Sequence, residues 1–259
     1  MTSSISQVIN EMDDSREVVE SSVFDQVEEL TKTARELAKT GKSKESIFLF
    51  EKYLKSDSNN VRIIVCYAKA MRDAREYSKA GELFEKSLDL EPDNIANIFS
   101  YIKLLNRQKN FQRAFELFEH ALKIEPYDIR LLSAYANSLA KAGKYDEATE
   151  LFERSLKIND NDFITLNSYA NLQVKQGKYD EATELFERSL KINDNDFITL
   201  NSYANLQVQQ GKYDEATELF EKALQLEPRN YIVLNGYANL KVQQGKYDEA
   251  TELFERSLK

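Results

Sequence analysis

The sequence predicts an all-α fold, an α-solenoid of seven tandem 34-residue helix-turn-helix units, on three observations. The fifteen residues GKYDEATELFERSLK occur at 143–157, 177–191 and 245–259, and a near copy, GKYDEATELFEKALQ, fills 211–225. The glycines opening these segments, Gly143, Gly177, Gly211 and Gly245, are each 34 residues apart. The 259 residues include only seven glycines and three prolines, too few for the turns of a sheet protein of this size.

The units are placed in order along the chain. They begin near Val27, Val61, Ile95, Ile129, Phe163, Phe197 and Tyr231. Upstream copies keep the register in worn form: Phe111 in NFQRAFELFE lies 34 residues before Tyr145, Tyr77 in EYSKAGELFE 34 before that, and Ser43 in GKSKESIFLFE 34 earlier again. The unit 163–196 shows the pattern that each shares. Leu166, Tyr169, Ala170 and Val174 recur at helical spacing, and Gly177, free to adopt a left-handed conformation, ends that helix. A second helix starts at Tyr179 and Asp180 and sets Ala182, Leu185, Phe186, Ser189 and Leu190 on one stripe. The turn NDND at 193–196 breaks it, and Pro92, Pro126 and Pro228 fall at the same break in other copies. One such pair cannot cover its own apolar face; stacked pairs share a continuous core.

Before the first unit, residues 1–22 read as a mobile polar tail, with Val23, Phe24 and Val27 beginning the first ordered helix. At the other end the chain stops at Lys259, on a second helix with no polar capping helix after it. The last pair is therefore expected to leave Leu240 and Phe254 partly uncovered, and the sequence is read as a fragment of a longer protein. Residues 143–174 and 177–208 are identical over 32 positions. Packing alone would not hold solvent-facing residues identical; the worn upstream copies favour recent tandem duplication over design.

A 34-residue helix-turn-helix period resembles the tetratricopeptide repeat (TPR) family, over residues 27–259. The family's small residue early in the second helix matches Ala80, Ala114, Ala148, Ala182, Ala216 and Ala250, with Ser46 in the first copy. Its aromatic four residues on is Phe throughout, from Phe50 to Phe254. The family's early Trp is Leu here (Leu132, Leu166, Leu200) and its first-helix Gly is Ala (Ala136, Ala170, Ala204), swaps that keep an apolar or small group in place. The resemblance implies a right-handed α-solenoid whose first helices line a concave groove.

Composition narrows the function. The net charge of −9 argues against nucleic acid, whose phosphates demand a positive footprint. Cys66 is the only cysteine, which rules out an internal disulfide and fits a reducing compartment. The start has no basic segment followed by an apolar one, and no run approaches the ~20 apolar residues of a membrane span. A cytoplasmic protein with no membrane partner is expected. No catalytic set emerges: the single histidine, His120, is far from Cys66 in the repeat order, so the chain is read as not an enzyme. Gly41-Lys42-Ser43 ends like a phosphate loop, but Glu36 stands where the motif needs Gly, so it reads as a turn between helices. NDNDF lacks the glycine and glutamate of a calcium loop and reads as a helix-capping turn. No metal and no cofactor is expected.

Binding is the remaining expectation. The resemblance implies that the second, fifth, ninth and twelfth to thirteenth positions of each copy face the groove. The ninth is Asn137, Asn171, Asn205 and Asn239, and the fifth is Asn167, Asn201 and Asn235. Four residues apart on a helix, these form a double column of carboxamides, able to bracket the peptide groups of an extended chain. Ile164, Ile198 and Ile232, with Val174, Val208 and Val242, flank them. Upstream, the same positions give a basic strip of Arg62, Lys69, Arg72, Lys103, Arg107, Arg130 and Lys141, suited to steering an acidic peptide. The chaperone-binding members' carboxylate clamp matches no three successive copies, so a chaperone C-terminus is not predicted. The expected function is a non-catalytic scaffold or adaptor holding an extended peptide segment. The alternatives are self-assembly through uncapped ends, or a regulatory arm of a larger enzyme, packed on its own partner domain.

Overall fold

A computed structural model describes residues 29–258 except 30, 35, 38, 39 and 56. The expected tail 1–22, Val23, Phe24 and Val27 lie outside the described residues, which are helical with no strand among them. They divide into two compact units meeting between Ile124 and Glu125, each described by itself.

In the first unit, helical residues 31–34 precede Ser43–Leu54, and two full hairpins follow: Val61–Asp73 with Tyr77–Leu90, and Ile95–Arg107 with Phe111–Ile124. The second unit holds four hairpins: Ile129–Lys141 with Tyr145–Ile158, Phe163–Lys175 with Tyr179–Ile192, Phe197–Gln209 with Tyr213–Leu226, and Tyr231–Gln243 with Tyr247–Ser257. The period is the predicted one, with each helix of a hairpin starting 34 residues after its counterpart.

Local chemistry sets the boundaries. Leading helices are capped by side-chain oxygens of Asn60, Asn94, Asp128, Asp162, Asp196 and Asn230, which accept from backbone N–H groups of the first turn. The NDND turns thus do what the sequence suggests: Asp162 takes the N–H of Thr165, and Asp196 that of Thr199. The trailing helices starting at Tyr145, Tyr179, Tyr213 and Tyr247 lack a side-chain cap and instead carry Asp-Glu in their first turn, favourable to the helix dipole. Gly177 turns the chain between its two helices at φ +74°, and the non-glycine residues Arg75 and Lys109 make the corresponding turns in the worn copies at φ 66° and 58°.

The same three contacts recur at hairpin junctions. A buried trailing-helix Phe stacks on a Tyr of the next leading helix: Phe84 on Tyr101 at 5.4 Å in the first unit, Phe186 on Tyr203 at 5.5 Å and Phe220 on Tyr237 at 5.6 Å in the second. The phenol then donates to a Glu sixteen residues earlier, as Tyr101 does to Glu85 at 2.8 Å and Tyr237 to Glu221 at 2.9 Å. Burial, reinforced by Glu51 and Glu187, pushes the Tyr67 and Tyr203 phenols up to about 12. Finally, a basic trailing-helix side chain reaches a turn carbonyl 28 residues earlier: Lys86 donates to Ser58 O at 2.6 Å, Arg154 to Pro126 O at 2.7 Å, Arg188 to Asp160 O at 3.4 Å.

The last hairpin departs from expectation at one residue. Phe254 is 36% exposed, against 0% for Phe220, but Leu240 is fully buried. Leu240 packs in a core cluster with Phe220 of the preceding hairpin and Leu234, Ala238 and Leu253 of its own, so its cover does not depend on a following helix.

Candidate functional site

Within the second unit, successive leading helices pack directly on one another, and trailing helices pack on the leading helix of their own and of the next hairpin. The leading helices therefore make one continuous wall. Ile164, Ile198 and Ile232 stand out from it, 59%, 52% and 52% exposed. Val174 and Val208 are half-buried, and Val242 is exposed.

The asparagines separate into two layers. At the ninth position Asn205 and Asn239 are exposed and Asn137 and Asn171 half-buried. At the fifth, Asn167 is buried, and Asn201 and Asn235 are half-buried. Asn171 Nδ2 donates to Asn167 O at 2.9 Å and Asn167 Oδ1 at 3.0 Å, with Ser202 Oγ of the next leading helix at 3.4 Å. Asn205 Nδ2 repeats the first of these bonds, to Asn201 O at 2.9 Å. Asn201 Oδ1 is buried without a hydrogen-bond partner, beside Gly236, where an added Cβ would lie 3.1 Å from it. Asn167 thus backs Asn171 through both its backbone and its carboxamide oxygen, and Asn201 backs Asn205 through its backbone oxygen.

Between the leading helices Ile129–Lys141 and Phe163–Lys175 the wall opens into a cavity of about 220 Å³, lined by Ile129, Arg130, Ala134, Asn137, Ile164 and Ser168 among others. Three predicted residues, Arg130, Asn137 and Ile164, meet there. Ser133, also lining it, replaces the fifth-position Asn of later copies. That substitution is legible in the sequence as a break in the column, whereas the roles of Ser168 and Ser202 carry no comparable signal.

The basic residues are distributed over both units. In the first, Arg62, Lys103 and Arg107 are exposed, and Lys69 and Arg72 half-buried. Arg72 pairs with Asp73 at 2.8 Å; Lys103 lies over Phe99 at 5.2 Å and Arg107 over Tyr77 at 6.0 Å. Arg130 and Lys141 belong to the second unit and are exposed. Arg130 pairs with Asp128 at 2.7 Å, and its hydrogen bond holds the Asp128 carboxyl below the ordinary range.

The other sequence candidates take structural places. Gly41, at φ +80°, precedes the helix starting at Ser43. Cys66 is buried, and His120 Nε2 lies 3.0 Å from Asp93 Oδ1 and 3.2 Å from Pro92 O. Among the described residues no three His, Cys, Asp or Glu side chains are placed to hold a metal ion, and no helix is long and apolar enough to cross a membrane.

Comparison with known proteins follows the same architecture. Two tetratricopeptide repeat profiles match, one at residues 127–195 and 162–229 and the other at 207–259. A profile for the anaphase-promoting complex, cyclosome, subunit 3 matches residues 73–155. No curated protein matches by sequence. Among solved structures, a tetratricopeptide repeat protein from Parabacteroides merdae is 16% identical, covers 91% of this chain and 100% of its own, and has a TM-score of 0.71. Yeast Tom70 is 20% identical over 83% of this chain and 54% of its own, with a TM-score of 0.61. Pseudomonas aeruginosa pilF is 19% identical over 83% and 99%, with a TM-score of 0.56. At these identities the likeness is one of fold.

Proposed function

Because the chain belongs to the tetratricopeptide repeat family, we propose that it is a protein-binding scaffold that holds an extended peptide segment of a partner along its leading helices. The observation that carries this reading is the wall of the second unit, where ninth-position carboxamides alternate with exposed isoleucines from one hairpin to the next. Elements that touch along one side of a stack lie on its inner side when it curves, and the leading helices are the ones in mutual contact. Each hydrogen bond to a ligand is worth about 1 kcal/mol net, so several must act together. The exposed basic residues favour an acidic partner.

The test is selection of displayed 12-residue peptides on the whole protein, followed by binding of the selected peptide to the double variant Asn171→Leu, Asn205→Leu. The expected outcome is a loss of tenfold or more with helix content unchanged. Undiminished binding would remove the carboxamides from the site. A second reading, association between copies, is favoured by the exposure of Tyr247 at 67% and Leu258 at 87% on the last hairpin. Growth of particle mass with concentration in light scattering supports it; a constant mass excludes it.

A further inference from the structure

We infer that the ninth-position column meets its ligand with carboxamide oxygens, and so takes the ligand through backbone N–H groups, one per hairpin and three residues apart. This rests on the groove reading above and narrows it.

The orientation comes from the inner partners. A backbone carbonyl only accepts, so the atom of Asn171 facing Asn167 O at 2.9 Å must be the nitrogen. Asn167 Oδ1 and Ser202 Oγ occupy the remaining directions around that nitrogen at 3.0 and 3.4 Å, leaving its hydrogens engaged within the protein. Asn205 shares the first of these bonds, to Asn201 O at 2.9 Å, so its nitrogen too is turned in, with one hydrogen engaged. With the nitrogen turned in along the helix, Oδ1 is the branch turned out, and Asn205 as a residue is exposed. A carboxamide free to rotate would present a donor and an acceptor and bracket a peptide group; these two are held against that. At Asn171 and Asn205 the wall therefore turns acceptors outward, and what satisfies them is donors.

The interval follows from chain geometry. Packed helices lie about 8–10 Å apart, so the oxygens of successive hairpins repeat on that scale. An extended chain advances about 3.3 Å per residue, and a polyproline II chain about 3.1 Å, so one hairpin corresponds to about three residues. A β-strand turns its face over every residue, so positions three apart point opposite ways. Polyproline II has three residues per turn and returns the same face to the wall at each hairpin. Its backbone also leaves every N–H unpaired within the chain, available to an outside acceptor. The ligand class is thus a segment in polyproline II conformation with non-proline residues at every third position, proline being tolerated at the two between, where no N–H is required.

The display experiment already described supplies the probe. Peptides selected on the whole protein should exclude proline at every third position across the contacting stretch. Single backbone N-methylation, scanned along one selected peptide, should cost tenfold or more at those positions and less than threefold at the two between. With Asn171→Leu, one methylated position should lose its penalty, because the oxygen it faced is gone. If Asn171→Leu with Asn205→Leu weakens binding but N-methylation is tolerated everywhere, the groove stands and the oxygen assignment is overturned. A spacing other than three overturns the polyproline II assignment. If the double variant binds undiminished, or if no peptide is selected, the groove reading falls and this inference with it.

Discussion

Phe220 and Phe254 occupy the same place in consecutive copies of one repeated segment, yet replacing each by alanine should give unequal results. Phe220 is fully buried and stacks on Tyr237 at 5.6 Å. Removing a phenylalanine so enclosed costs about 3–5 kcal/mol, the lost transfer energy together with the cavity left behind. Phe254 is 36% exposed. Full burial of such a side chain is worth about 1.5–3 kcal/mol, so the roughly two thirds that remains covered contributes about 1–2 kcal/mol, with no closed cavity to add. The gap of about 2 kcal/mol is a factor of roughly 30 in the unfolding equilibrium constant. Urea unfolding followed by far-UV circular dichroism reads both variants, with Phe186→Ala as a control that should follow Phe220→Ala, since Phe186 is also fully buried and stacks on Tyr203 at 5.5 Å. Equal losses at 220 and 254 would refute the claim that this column draws its stability from the hairpin that follows.

Two further predictions concern the junctions and turns. The Tyr203 phenol, pushed from 10.0 to about 12 by burial and Glu187, holds its proton more tightly in the fold than in the unfolded chain. Its contribution is whole below pH 10.0 and is lost as pH rises through about 12, so Tyr203→Phe should flatten the decline of the urea midpoint across that window; an unchanged slope counts against it. Lys109→Gly should raise stability by about 0.5–1 kcal/mol, because the left-handed turn at φ 58° costs a side-chain-bearing residue about 1–2 kcal/mol, partly offset by glycine's greater freedom when unfolded. A lower urea midpoint in that variant would show that the turn is unstrained.

The period, the caps and the turns were legible because each is local. Asp162 and Asp196 cap helices within three residues of themselves, and Gly177 breaks a helix by its own backbone. What escaped the sequence depends on the neighbouring element. Helical spacing sets Asn167 and Asn171 on one face but does not reveal that the first is buried and supports the second. The prediction of a partly open Leu240 failed because its cover comes from its own and the preceding hairpin, not from a successor. The Arg72 pairing with adjacent Asp73 likewise turns a strip residue toward a local partner. One signal was available and unused: Glu85, Glu187 and Glu221 each precede a leading-helix Tyr by sixteen residues, a fixed offset that marks a contact across hairpins.

Those offsets have an evolutionary corollary. The carboxylate–phenol bond spans sixteen residues and the clasp from a basic side chain to a turn carbonyl spans 28, both shorter than the 34-residue period. Recombination that inserts or deletes one whole period therefore recreates the same seam at its boundary, whichever copies are joined. Length can change by crossing-over without any new complementary surface having to arise by point mutation, and the identity of 143–174 with 177–208 over 32 positions is the pattern such an event would leave.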